Sequence, residues 1–176
     1  DLTPDYPDLP ALIANLWQTM AGAGDGVGLA APQVGRAVRL FVVDSQQSLR
    51  GLSAAGRSRY PGDEGIRAAF INPELLSTAG EPGPYTEGCL SIPGVWADIY
   101  RPPRIRLRYF DEQWQPQERE FSGLSARFIQ HEYDHLEGRL LTDHLGPLRR
   151  RLLRNRLERA ATGQVSVSYP MRFRQR

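Results

Sequence analysis

Apolar residues at Leu12, Ile13, Leu16, Trp17 and Met20 recur with the period of an amphipathic helix. The spacing predicts a helix over 9–22, with Asp8 as its cap and Pro10 in its first turn. Four glycines within residues 22–28 then break the pattern. The apolar run Leu40-Phe41-Val42-Val43 predicts a strand at 38–43, and residues 68–72 predict a second, short one. Between them, residues 45–67 are polar, rich in Ser, Gly and Arg and without a period, which reads as a surface insertion. Several Gly and Pro residues fall between Gly80 and Gly94, around Cys89. Arg104-Ile105-Arg106-Leu107-Arg108-Tyr109 alternates strictly, as a half-buried strand with one apolar and one basic, solvent-facing side does. Asp111-Glu112 begins a turn, and residues 117–121 return as the hairpin partner. Helix signals resume at Ser122 and stop at Gly138. Another helix is predicted from Pro147 to Ala161, with Leu148, Leu152, Leu153 and Leu157 on its apolar side. Val165, Val167 and Tyr169 alternate as a last short strand. Strands and helices are segregated along the chain, so the expected class is α+β. Antiparallel strands would pack around a central helix at about 122–137, followed by an Arg-rich C-terminal helix.

The length of 176 residues predicts a single domain over 1–176. The 40% hydrophobic and 24% charged fractions are those of an ordinary soluble globular protein. Every one of the 22 cations is arginine, which excludes a Schiff-base lysine or a P-loop lysine. No apolar run approaches the roughly 18 residues of a membrane span, and the first residues lack the basic and apolar regions of a signal peptide. The lone cysteine, Cys89, excludes an intramolecular disulfide, and a soluble, reducing compartment fits best.

The chemistry concentrates in Gln130-His131-Glu132-Tyr133-Asp134-His135. On a helix, positions i and i+4 share a face, so both imidazoles can reach one tetrahedral metal. Glu132 follows the first histidine and projects beside that metal, where it can take a proton from water. A chance pair of histidines is the plainer alternative. Against it, Leu124, Phe128, His131 and His135 continue one inward stripe, where unpartnered imidazoles are costly. A catalytic metal needs a third protein ligand. In the extended motif that position is Leu141, which cannot bind metal, and Glu158 on the next helix sits among arginines. Cys89 remains as a soft ligand suited to zinc or ferrous iron, although a lone cysteine is more often a small buried hydrophobe.

Cys89 lies in Glu87-Gly88-Cys89-Leu90-Ser91, and an earlier segment reads Gly26-Val27-Gly28-Leu29-Ala30-Ala31-Pro32-Gln33. Together with Gln-His-Glu-x-Asp-His, and in this order, these motifs resemble the peptide deformylase family. The resemblance spans roughly residues 9–145. The family removes the formyl group from the N-terminal methionine of newly made bacterial and organellar proteins. The resemblance implies Cys89, His131 and His135 as metal ligands and Glu132 as general base and acid. It implies Gln33 and the Leu90 N–H as donors to the formyl oxygen. Backbone around Val27, Gly28 and Gly88 is implied to pair with the substrate as an added strand. Glu87 falls in the same substrate-binding stretch and resembles a carboxylate that pairs with a downstream arginine, here Arg101. The implied metal is ferrous iron, with nickel, cobalt or zinc able to replace it. Gly26 and Gly28 are expected to let backbone approach the substrate and to adopt positive φ.

Three departures accompany the resemblance. The stretch between the first two motifs is long, with 45–67 as its cause. The family's usual strand before the first helix is missing, and Trp96 stands where some members carry arginine. Six arginines between Arg149 and Arg159 give residues 147–176 a basic helix and tail. They suit either a solvated face or, as the resemblance implies, contact with ribosomal RNA. The expected protein is a monomeric enzyme of the bacterial cytoplasm, an organelle remaining open. It would act on formyl-methionyl nascent peptides. The other readings are a metalloprotease of another zincin type and a silent ribosome-binding module.

Overall fold

The computed structural model describes residues 1–173. Its order is α1 (Leu9–Gly22), β1 (Gly28–Ala30), β2 (Leu40–Asp44), α2 (Gln46–Arg50), α3 (Ala54–Arg57), β3 (Arg67–Ala79), β4 (Gly83–Cys89), β5 (Ile92–Arg101), β6 (Arg104–Phe110), β7 (Pro116–Ser122), α4 (Gly123–Leu136) and α5 (Pro147–Ala161). One-turn 3₁₀ helices occupy Ala31–Val34 and Leu141–His144. All strand pairs are antiparallel, in a five-stranded sheet of order β1-β2-β3-β6-β7 and a separate β4-β5 hairpin.

The run at 40–43 is wholly apolar because the sheet is covered on both sides there. Leu40 and Val42 face α1 through Leu12, Ile13 and Leu16. Phe41 and Val43 face α4 through Leu124, Phe128 and Ile129. Successive strand side chains point to opposite faces, so two covered faces need an unbroken apolar run. At β6 only one face is covered: Ile105, Leu107 and Tyr109 join the α4 core while Arg104, Arg106 and Arg108 stay exposed. Arg106 and Arg108 pair there with Glu118 on β7. Phe70 knits the core, with ring centroids 4.8 Å from Phe41 and 4.5 Å from Tyr109. The hairpin forms its own cluster, in which Cys89, Ile92, Val95 and Ile99 pack with Leu141, Leu145 and Ala160.

Several expectations need correction. Residues 45–67 are not a mere surface insertion: they form α2 and α3, and Ser45, Leu49, Asp63 and Ile66 are buried. The strand expected at 68–72 runs on to Ala79 because it must pair with β2 at one end and β6 at the other. The Gly- and Pro-rich segment around Cys89, to which the sequence assigns no element, forms the β4-β5 hairpin. No strand forms at 165–169. Only Leu153 and Leu157 of the α5 leucines pack inward, while Leu148 and Leu152 are 72% and 73% exposed. Asp8 adopts a left-handed conformation and makes no side-chain cap. As expected, residues 1–8 form no strand; Asn72 clamps Leu2, accepting from its N–H at 2.7 Å and donating to its carbonyl at 2.8 Å.

Candidate metal centre and cleft

α4 lies against the sheet with its buried face set by Leu124, Phe128 and Ile129. His131 and His135 extend that face toward the end of β4, where Cys89 stands. One donor atom from each of Cys89, His131 and His135 falls within 4.8 Å of the others. Cys89 Sγ is 3.3 Å from His135 Nε2. The His131 Nδ1 is 3.0 Å from Glu87 Oε2, which leaves its Nε2 for the centre. Two imidazole nitrogens and a thiolate make a donor set that fits a divalent transition metal. Burial pushes the Cys89 thiol up, but hydrogen bonds with His131 and His135 outweigh it and hold the thiol at about 5. Burial pulls His131 down, yet Cys89 and Glu87 raise it to about 10. His135 is raised in the same way, chiefly by Cys89 against its own burial. The pocket therefore stabilises a thiolate among positive charges, and a divalent cation can take the place of those protons.

Glu132 is buried beside this group, 4% exposed, and its Oε2 has no hydrogen-bond partner. Burial raises its pKa to about 7, against the pull of His131 and His135. A carboxylate this close to neutral can both take and return a proton near pH 7. Gly28 leaves it room: a Cβ there would sit 2.5 Å from Glu132 Oε1. A Cβ at Gly26 would sit 2.7 Å from the Met20 carbonyl oxygen. Neither glycine has positive φ, so both are required for close approach and the expected left-handed backbone is corrected.

Gln33 is held by its own helix turn. Its Oε1 accepts from the Ala30 N–H at 2.7 Å, which turns its NH₂ toward Ser91 Oγ at 3.0 Å and Cys89 Sγ at 3.9 Å. Val27, Gly28, Gly88, Leu90, His131 and Glu132 share the lining of one cavity of about 470 Å³. Trp96 also lines it, 57% exposed, with its ring over Gly88.

Behind the centre lies a buried charge network. Glu87 Oε1 accepts from Arg101 Nε and Arg127 Nη1, both at 2.9 Å, and Glu87 Oε2 from Arg101 Nη2 at 3.1 Å. Burial pushes the Glu87 carboxyl up, but His131 and Arg101 hold it at about 2. Arg101 also donates to Asp134 at 2.8 Å, and His144 reaches the same carboxylate at 2.7 Å. Sequence reasoning placed Glu87 and Arg101 here but missed Arg127, Asp134 and His144. Arg127 lies one helical turn before His131, a spacing that could have found it. His144 carried no such signal.

Comparison with known proteins gives the family. The profile of the polypeptide deformylase family matches residues 3–151. The chain belongs to the peptide deformylase family. Members are enzymes that remove N-formyl groups from nascent peptides. The peptide deformylase of Christiangramia forsetii is 45% identical over 98% of this chain and 87% of its own length. The crystal structure of a peptide deformylase from Legionella pneumophila covers 93% of this chain and 86% of that one, at 32% identity and a TM-score of 0.73. The enzyme from Synechococcus elongatus, solved in complex with actinonin, covers 93% of this chain and 78% of that one, at 36% identity and a TM-score of 0.71. No helix among the described residues is long and apolar enough to cross a membrane.

Proposed function

We propose that this deformylase hydrolyses the N-formyl group of formyl-methionyl peptides with Cys89, His131 and His135 holding the metal and Glu132 moving the proton. The observation that carries the reading is the unpartnered, buried Oε2 of Glu132 beside the three donors. A buried polar atom without a partner is costly in a structural role, and a general base must keep an oxygen free. A divalent metal bound there supplies Lewis acidity and brings the pKa of water toward neutrality. Glu132 takes the proton of the attacking water and returns it to the departing amine. The Gln33 NH₂ and the Leu90 N–H hold the formyl oxygen as charge builds on it, where one such donor is worth about 2.7–4 kcal/mol. Backbone at Val27, Gly28 and Gly88 receives the peptide as an extended strand. Glu87 has both oxygens engaged by protein groups, so its part is to fix the His131 ring, with Arg101 and Arg127 behind it.

The native metal on this reading is ferrous iron, which the soft thiolate and two imidazoles accommodate as they do nickel, cobalt or zinc. The protein acts as a single-domain monomer in the bacterial cytoplasm, where the nascent peptides are made. Arg151, Arg154, Arg156 and Arg159 of α5 make no ion pair among the described residues and suit phosphate, which favours docking on ribosomal RNA. Formate release from a formyl-Met tripeptide tests the central claim. The protein is purified without oxygen and reconstituted with ferrous iron or nickel. Turnover that a chelator abolishes supports it, and no turnover with metal demonstrably bound refutes it.

A further inference from the structure

After α5 the chain turns back over the cleft. Ser166, Val167, Ser168 and Tyr169 line the same cavity as Gln33, His131 and Glu132. Val165 packs onto the cluster that contains Cys89. The Tyr169 hydroxyl donates to the Leu90 carbonyl at 2.7 Å. Residues 165–173 form neither helix nor strand, and their backbone makes no hydrogen bond to other backbone among the described residues. The Tyr169 hydroxyl is thus a specific tie in a segment that secondary structure does not hold.

Leu90 sits in the two-residue turn between β4 and β5, directly after Cys89. Three contacts from distant parts of the chain pin this turn. The Leu90 side chain packs with the α1 cluster. The Ser91 hydroxyl accepts from Gln33. The Leu90 carbonyl accepts from Tyr169. The peptide unit is planar, so the Leu90 N–H turns with ψ of Cys89 and φ of Leu90. With Cys89 in its strand and the Leu90 side chain and carbonyl both held, the rotation of that peptide plane is restricted.

We infer that Tyr169 is a positioning residue for deformylation: its hydroxyl holds Leu90 so that the Leu90 N–H faces the formyl oxygen, while residues 166–169 wall the cleft. The inference rests on the proposed role of the Leu90 N–H. Donors of this kind act through pre-set geometry, and a small displacement removes much of their effect. Nothing in local pattern marks this residue; it is found because the tail returns to the cleft.

The test compares the full-length wild type with Tyr169→Phe and Tyr169→Ala, all loaded with the same divalent metal. On a formyl-Met tripeptide, Tyr169→Phe should lower kcat by about tenfold to a hundredfold and leave KM nearly unchanged. Tyr169→Ala should show the same fall in kcat with a raised KM, because the ring also leaves the wall. In ¹⁵N-leucine-labelled protein the Leu90 amide resonance should move in both variants. A wild-type kcat in Tyr169→Phe overturns the inference, and a defect confined to Tyr169→Ala reduces the residue to packing. If the wild type itself releases no formate, the functional reading fails. The Leu90 resonance then still reports on the tie: no movement in Tyr169→Phe overturns it.

Discussion

Glu87 Oε2 stands 3.0 Å from His131 Nδ1, on a carboxylate whose other oxygen accepts from both Arg101 and Arg127. One buried anion therefore orients a metal-binding ring and balances two buried guanidinium groups. Glu87→Gln keeps the shape and removes the charge. Breaking a buried ion pair by deleting one partner costs about 3–5 kcal/mol, so denaturant or thermal unfolding should show a large loss of stability. Removing a carboxylate that orients a ligating histidine weakens metal binding by about 10- to 100-fold, which dialysis against a chelator measures. Stability and metal retention both at wild-type level would show that the network is dispensable.

Glu132→Gln separates proton transfer from metal binding. The amide keeps the side chain's size and fits the space that Gly28 leaves. Metal content should stay at the wild-type level, while formate release falls by about 10²- to 10⁴-fold, the usual worth of a positioned acid–base group. Substantial turnover would take the role of base from Glu132.

Much of this centre was legible in the sequence because its parts are local. His131, Glu132 and His135 lie within two turns of one helix, and Cys89 sits beside Gly88 and Leu90 in a short motif. The two-sided apolar run at Leu40–Val43 and the one-sided alternation at Arg104–Tyr109 likewise write their burial into their spacing. What escaped was long-range or sparsely encoded. The β4-β5 hairpin was hidden by Gly83, Pro84, Gly88, Pro93 and Gly94, residues that lower strand propensity, and it forms because its register pairs Gly83–Cys89 with Ile92–Arg101. The segment 45–67 looked like a surface insertion because Leu49 and Ile66 are too far apart to show a period. Tyr169 meets Leu90 across 79 residues, which no local pattern carries.

Asp63 gives that segment a measurable purpose. Ser122 stands at the N-cap of α4 but makes no side-chain cap bond. Asp63 supplies one instead, accepting from the Ser125 N–H at 3.0 Å and from the Ser125 hydroxyl at 2.5 Å, while Ser45 lies 2.7 Å from that hydroxyl. Asp63→Ala removes the cap, leaves the buried Ser125 N–H without its acceptor and takes one partner from the Ser125 hydroxyl, which keeps its contact with Ser45. Loss of a cap costs about 0.5–2 kcal/mol, and buried groups without partners add to it. Urea unfolding should place the variant below wild type by at least that amount. A disposable surface insertion would leave the midpoint unmoved.

The packing of α5 decides how ribosome docking must be tested. Cutting the chain after residue 146 would remove Leu153, Leu157 and Ala160 from the cluster that contains Cys89, so weakened binding would be confounded with a damaged centre. Replacing Arg151, Arg154, Arg156 and Arg159 by serine avoids this, since all four are exposed. The substituted protein should keep its unfolding midpoint and its turnover on a free formyl peptide. Its affinity for ribosomes should fall, and its log–log salt slope should flatten by roughly one unit for each phosphate that is no longer neutralised. Sedimentation with ribosomes over a salt series measures both. Unchanged affinity and slope would leave the arginines as a solvated face of the helix.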